Sequence, residues 1–144
     1  MLIPSYTYYT DSLPEGVGGT TKACVIAIKT KYKDDKRIRL HELEHVRQFW
    51  ALFAIVGLIG AAIVYTQHLL PLFYLHAALI GFSAHTGLYN LVARYRFWAE
   101  AKAYAIQTKP DRSDIDVMAY RLFSSYDLGI TLEQAKNEIL KHLR

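Results

Sequence analysis

The most unusual feature of the chain is where charge is missing. Between Arg47 and Arg94 run 46 consecutive residues without Asp, Glu, Lys or Arg. Within them Phe49 to Tyr65 is a nearly unbroken apolar run of 17, and Leu69 to Phe82 a second run of 14, interrupted by Pro71 and His76. The first reaches the lower limit for a membrane-crossing helix, and the second does so only if extended through His85 and Tyr89. A helix of this length at the surface of a soluble domain carries a polar outer face. Here the uncharged face continues all round. The pattern predicts an apolar helical hairpin over residues 49–93. It is inserted in or lying on a membrane, or else buried against protein, including a second copy of the chain. His68, His76 and His85 fall at an interface or in a polar seam.

The flanks read as ordinary structured chain. Residues 1–22 are rich in Tyr, Thr, Pro and Gly, with a turn at Leu13-Pro14-Glu15-Gly16 and a flexible link at Gly18-Gly19. Cys24 to Ile28 is a β-prone run, although its five apolar residues do not alternate. Asp34 or Asp35 can cap a helix carrying RIRLHELEHVRQFW, because a short carboxylate accepts the unpaired N–H groups of a first turn. After the hairpin, RYRFWAEAKAYAIQ is a strong helix former that Lys109-Pro110 should stop. In the tail, 111–144, Ile115, Met118, Ala119, Leu122 and Phe123 form one stripe, ended by Gly129. Thr131-Leu132-Glu133-Gln134 reads as a capping box opening a last helix, whose apolar positions are Leu132, Ala135, Ile139 and Leu143.

The chemistry is concentrated in His41-Glu42-Leu43-Glu44-His45. On a helix, residues four apart stand one turn above each other on the same face, so His41 and His45 can present two imidazoles to one metal ion. Glu42 projects about 100° round the axis, beside the metal position. Zinc held by neutral histidines lowers the pKa of its water toward about 7, and a carboxylate so placed can take the proton as the oxygen attacks a carbonyl. A catalytic zinc needs a third protein ligand. His68, His76, His85 and Glu100 are the downstream candidates. Glu100 stands out as a carboxylate in an aromatic and alanine-rich helix, Phe97 to Tyr104, whose small residues allow close packing. His85 is the alternative third ligand, because an imidazole in an apolar run needs a partner.

Bulk properties narrow the remaining classes. With 144 residues, 52% hydrophobic and 21% charged, the chain suits one domain, 1–144. The formal charge of +4 is slight, and no base-reading helix, paired-cysteine finger or stacking-aromatic strand is present, which argues against nucleic-acid binding. A single cysteine, Cys24, excludes an internal disulfide and fits a reducing compartment. The first residues, MLIPSYTYYTDSLPEG, lack a basic start followed by an apolar run, so no signal peptide is expected, and the expected location is membrane-associated or cytoplasmic.

The segment LHELEHVRQFW resembles the active-site helix of gluzincin metallopeptidases, where the pattern is followed by an apolar residue and a glutamine, here Val46 and Gln48. RYRFWAEAKAYAIQ resembles the second helix of that group, in which a glutamate shortly before an alanine gives the third ligand, matching Glu100 and Ala103. The whole arrangement is similar to small phage and prophage zinc metallopeptidases, in which a glycine-rich N-terminal part and a strand precede the HExxH helix. Membrane-embedded zinc peptidases are a more distant likeness, with apolar helices between their zinc-bearing segments. The resemblance implies a zincin-like fold, mainly α with a small β element, and a strand edge that receives an extended peptide, matched by Ala23 to Lys29. It also implies an aspartate four positions after the glutamate ligand, orienting the first histidine; Tyr104 stands there instead.

The expectation is therefore a zinc-dependent hydrolase of a peptide or amide bond. His41, His45 and Glu100 hold the metal, Glu42 is the general base, and Tyr89, Tyr104 or Tyr126 stabilises the oxyanion or supports the ligands. The competing expectation is a non-catalytic phage-derived structural or membrane-associated protein with a structural or vestigial metal site, or one whose apolar hairpin alone carries function.

Overall fold

The computed structural model describes residues 3–108 and 112–143. The chain is mainly helical with one small sheet. Three strands, β1 (Tyr6–Tyr9), β2 (Gly19–Lys22) and β3 (Val25–Ile28), lie in the order β1-β3-β2, with β1 parallel and β2 antiparallel to β3. The predicted strand is thus the central one. Ile26, Ala27 and Ile28 are all buried, which explains why its apolar residues do not alternate: both of its faces are covered.

Two of the three strands come from the segment expected to be turn and linker. The turn itself is present, closed by Val17 N–H donating to the Pro14 carbonyl at 3.2 Å, with Gly16 at φ +81°. The Gly18-Gly19 pair is not a flexible link. Lys29 N–H donates to the Gly18 carbonyl at 2.9 Å, and Gly19 opens β2. Both glycines are there for closeness. A Cβ on Gly18 would meet Ile38 at 3.2 Å, and one on Gly19 would meet the Glu42 carboxylate at 2.8 Å.

Asp35 caps α1 (Lys36–Thr66), accepting from the backbone N–H of Arg37 at 2.9 Å and of Ile38 at 3.4 Å. The HExxH helix and the first apolar run are one continuous helix of 31 residues, passing through Gly57 and Gly60 without a break. After a tip that includes His68 at φ +50°, α2 (Leu72–Leu91) returns antiparallel. Small residues bring the two helices together. A Cβ on Gly60 would lie 2.7 Å from that of Ala77, and one on Gly81 would lie 3.0 Å from the Phe53 carbonyl oxygen. Beyond this seam the hairpin is bare, with Leu58 71% and Leu70 70% exposed. Among the described residues, α1 is the one helix long and apolar enough to cross a membrane.

Helix α3 (Ala93–Gln107) lies alongside α1 and packs with α4 (Ile115–Ser125) and α5 (Leu132–His142). The expected stop at Lys109-Pro110 lies outside the described residues. Ala101, Ala105, Met118, Ala119, Leu122 and Ile139 make this second core, while Val46 of α1 packs on Ile26 and Ile28 of the sheet. The capping box is formed as expected, Thr131 Oγ1 accepting from Gln134 N–H and Thr131 N–H donating to Gln134 Oε1. Two of the expected apolar positions are exposed rather than buried. Phe123, about 100° round the helix from Leu122, points outward, and Leu132 is exposed in the first turn of α5.

Candidate metal centre

His41 and His45 stand one turn apart on α1, and Glu100 reaches them from α3, held alongside by the close alanine packing. Their ligand atoms lie within 4.8 Å of one another, and all three side chains are buried. Nε2 of His45 is 3.3 Å from Nε2 of His41 and 3.3 Å from Glu100 Oε1, while Nε2 of His41 is 3.4 Å from Glu100 Oε2. This group could hold a metal ion.

The surroundings fix how two of these side chains are presented. Gln48 Nε2 donates to the Ala99 carbonyl at 3.1 Å, which turns Gln48 Oε1 toward His45 Nδ1, also at 3.1 Å. In the neutral ring the proton of His45 is therefore drawn to Nδ1, and the lone pair of Nε2 faces His41 and Glu100. The Tyr89 hydroxyl, arriving from the foot of α2, donates to Glu100 Oε1. Buried Glu44, absent from the expected site, joins α1 to α3 through Lys102 Nζ at 3.0 Å and takes Arg47 Nε at 3.2 Å.

Burial works against the charged imidazolium of His45, but the Glu100 carboxylate outweighs it and pushes the pKa up to about 9. Burial likewise favours the neutral form of Glu100, yet the two histidines hold it well below the usual carboxylate range. Without a metal the cluster keeps a proton in the position a cation would take.

His85, the alternative third ligand, lies beside this group rather than in it. Its ring centroid is 6.5 Å from that of His45 and it stacks on Tyr89 at 6.0 Å. Glu100 is the residue grouped with the two histidines. His68 and His76 lie at and near the hairpin tip, with His76 Nδ1 bonded to the Leu72 carbonyl at 3.1 Å.

Glu42 faces the other way, into a cleft of about 650 Å³ that also exposes His41, Tyr104, Gln107, Arg121 and Tyr126. Sequence reasoning missed what holds its carboxylate. Thr21 Oγ1 of β2 lies 2.7 Å from Glu42 Oε2, and Gly19 leaves room for Oε1. A threonine in a strand carries no sequence signal of such a role. Tyr104 packs edge-on against His41, with ring centroids 4.7 Å apart and a 68° angle between planes. Burial pushes its hydroxyl pKa up to about 12, and that of Tyr126, with which it shares a hydrogen bond, well above the ordinary value. Both phenols are protonated at neutral pH.

The strand facing Glu42 is β2, an edge of the sheet. The expected peptide-receiving segment, Ala23 to Lys29, forms mainly the central strand β3, which is paired on both sides. Of the two edge strands, β2 is the one beside Glu42. Comparison with known protein families, curated proteins and solved structures yields no match for this chain. What the site does must be argued from its own geometry.

Proposed function

We propose that the chain is a zinc-dependent hydrolase of peptide or amide bonds, of zincin-like design and similar to the small phage gluzincins. The observation that carries this reading is the spacing of the three ligand atoms. Donors each about 2.0–2.1 Å from a tetrahedral ion stand roughly 3.3–3.4 Å apart; the two imidazole nitrogens are 3.3 Å apart here, each is 3.3–3.4 Å from one of the two Glu100 oxygens, and one ligand atom from each residue lies within 4.8 Å of the others. Two nitrogens and a carboxylate are also the donor set of many catalytic zinc sites, which keep a fourth position open. The buried Nδ1 of His41, without a hydrogen-bond partner among the described residues, leaves that ring free to settle on an ion.

His41, His45 and Glu100 would hold the zinc, which when bound supplies a Lewis acid for a carbonyl oxygen and activates water. The chain's own residues do the rest. Glu42, fixed by Thr21 and projecting into the cleft, takes the proton of the attacking water and delivers it to the leaving nitrogen as the C–N bond breaks. Tyr104 and Tyr126, as neutral phenols in the same cleft, are the donors available to a developing oxyanion. Tyr89, bound to Glu100, steadies a ligand instead. An extended peptide laid along β2 would pass Glu42. The outer part of the hairpin 49–93, beyond His85 and Tyr89, stands outside this chemistry, as a contact to a membrane or to a second copy of the chain.

The test is Glu42→Gln. With the chain purified without a histidine tag, the wild type should carry about one zinc and cleave members of a peptide library. The variant should keep its zinc and lose turnover by about 100-fold or more. A wild type that takes up no zinc, or cleavage indifferent to this substitution, would sink the reading and favour a non-catalytic site.

A further inference from the structure

We propose that the segment between Arg47 and Arg94 crosses a lipid bilayer as a helical hairpin, with both feet and the metal centre on the cytoplasmic side. This goes beyond the hydrolase reading and does not depend on it.

Four observations carry it. First, the dimensions fit. At 1.5 Å per residue, α1 rises about 29 Å from Arg47 to Thr66 and α2 about 29 Å from Leu72 to Leu91, against a hydrocarbon thickness of about 30 Å; α1 is apolar enough to cross by itself, and α2, as long but carrying His76, His85, Tyr89 and Asn90, crosses packed against it.

Second, the exposed surface is apolar around the whole pair. The face of α1 formed by Phe53, Gly57, Gly60 and Val64 turns toward α2, while Ile55, Leu58, Ile59 and Ile63 spread over the opposite side. Helix α2 likewise exposes Phe73, Leu75, Leu79, Ile80 and Phe82. A second copy would cover one face and leave the rest in water, whereas lipid covers all of it.

Third, three polar side chains of this region that lie away from the metal centre bond to their own helices. Ser83 Oγ donates to the Leu79 carbonyl at 2.6 Å and Thr66 Oγ1 to that of Ile63 at 3.2 Å, and His76 contacts that of Leu72. That is the way such groups are satisfied where no water is available. The helices meet through glycine and alanine, as helices in lipid do.

Fourth, charge and aromatic residues mark the boundaries. Lys36, Arg37, Arg39 and Arg47 precede the first span, and Arg94, Arg96 and Lys102 follow the second, while the tip between the spans carries no charge. Basic residues stay on the cytoplasmic side. Trp50, Tyr95 and Trp98 lie near the feet and Tyr65 and Tyr74 near the tip, where amphipathic rings settle at the two surfaces. Glu42 is then about 8 Å along the helix axis from Arg47, just outside the lipid.

The experiment uses the full chain in a bacterial host. The unaltered protein should remain with the membrane after alkaline carbonate extraction. In a Cys24→Ser background, single cysteines are placed at the tip (Gln67→Cys) and ahead of the first span (Lys36→Cys), both exposed positions. A membrane-impermeant maleimide applied to spheroplasts should label the tip cysteine at least tenfold more than the other, which should react only after permeabilisation. Release by carbonate, including as a soluble dimer, would overturn the proposal, and so would a tip labelled only after permeabilisation. The His45→Ala variant should show the same extraction and labelling, so a missing metal site and a missing membrane span are told apart.

Discussion

Removing the metal should reverse the pH dependence of stability. In the metal-free protein His45 has its pKa raised from the ordinary 6.5 to about 9, burial opposing the charge and the Glu100 carboxylate more than compensating. A raised histidine pKa contributes stability that is fully present below 6.5 and lost as pH rises through about 9. The shift corresponds to about 3 kcal/mol. Glu100 acts in the opposite sense. Held below its ordinary value of 4.5, it contributes stability present above that value and lost in acid. The chelated protein should therefore be most stable between about pH 4.5 and 6.5 and weaken from there to pH 9.

With metal present the same proton is a competitor. It must leave His45 before the ring can bind, so each pH unit below about 9 lowers apparent affinity up to tenfold, or roughly 100-fold between pH 9 and 7. Thermal melts at fixed excess zinc and in chelator, at matched pH from 6 to 9, measure both effects. At roughly 2–4 °C per kcal/mol for a chain of this size, the chelated Tm should fall by roughly 10 °C over that range, while the zinc-loaded Tm holds or rises. Two curves that run parallel would refute the placement of a metal on His45 and Glu100.

Three further outcomes follow from single contacts. Gln48→Ala removes the group that turns His45 Nε2 inward and should lower zinc affinity by about 10–100-fold in competition with a chelating dye, with the fold intact by circular dichroism. Gly19→Ala puts a methyl 2.8 Å from Glu42 Oε1, which the end of a flexible side chain can evade. Melting should barely change and zinc should stay, but turnover should drop because the base is displaced. Gly60→Leu drives a side chain into Ala77 and should cost about 1–3 kcal/mol in detergent-solubilised protein, whereas Gly87→Ala, with open space around it, should be neutral or stabilising.

The grouping of His41, His45 and Glu100 was legible because its information is local and chemical. Two histidines four apart converge on any helix, and Glu100 is the carboxylate of a helix otherwise built for close packing. The capping box at Thr131 and the Asp35 cap are local in the same sense. What escaped depends on contacts between distant parts of the chain. β1 and β2 are short, and β1 pairs with a strand far along the sequence, so nothing near Tyr6–Tyr9 announces it. Thr21 and Gly19 acquire their roles only when β2 is laid against Glu42. The breakless passage of α1 from His41 and His45 into the apolar run was also not anticipated, the helix and the hairpin being read as separate elements; Gly57 and Gly60 lie where α2 packs closely through Ala77 and Gly81.

That continuity bears on why the hairpin exists. Its two halves do different things. Near the feet, α2 sends Tyr89 to Glu100, sets His85 beside His45 and packs Phe82 on Phe49, so this half braces the metal centre. The outer half, with Ile55, Leu58, Ile59 and Ile63 facing away from Leu75, Leu79 and Ile80, touches little beyond its own partner helix. Bringing α3 back alongside α1 does not require it, since a connection spanning only the feet would do so. Exposed apolar side chains of this number oppose solubility and contribute nothing to the site's geometry. In the proposed arrangement a bilayer would remove that cost and give the outer half a purpose: it would anchor α1, the helix that carries both histidines and Glu42, and hold the cleft at a fixed height above the lipid.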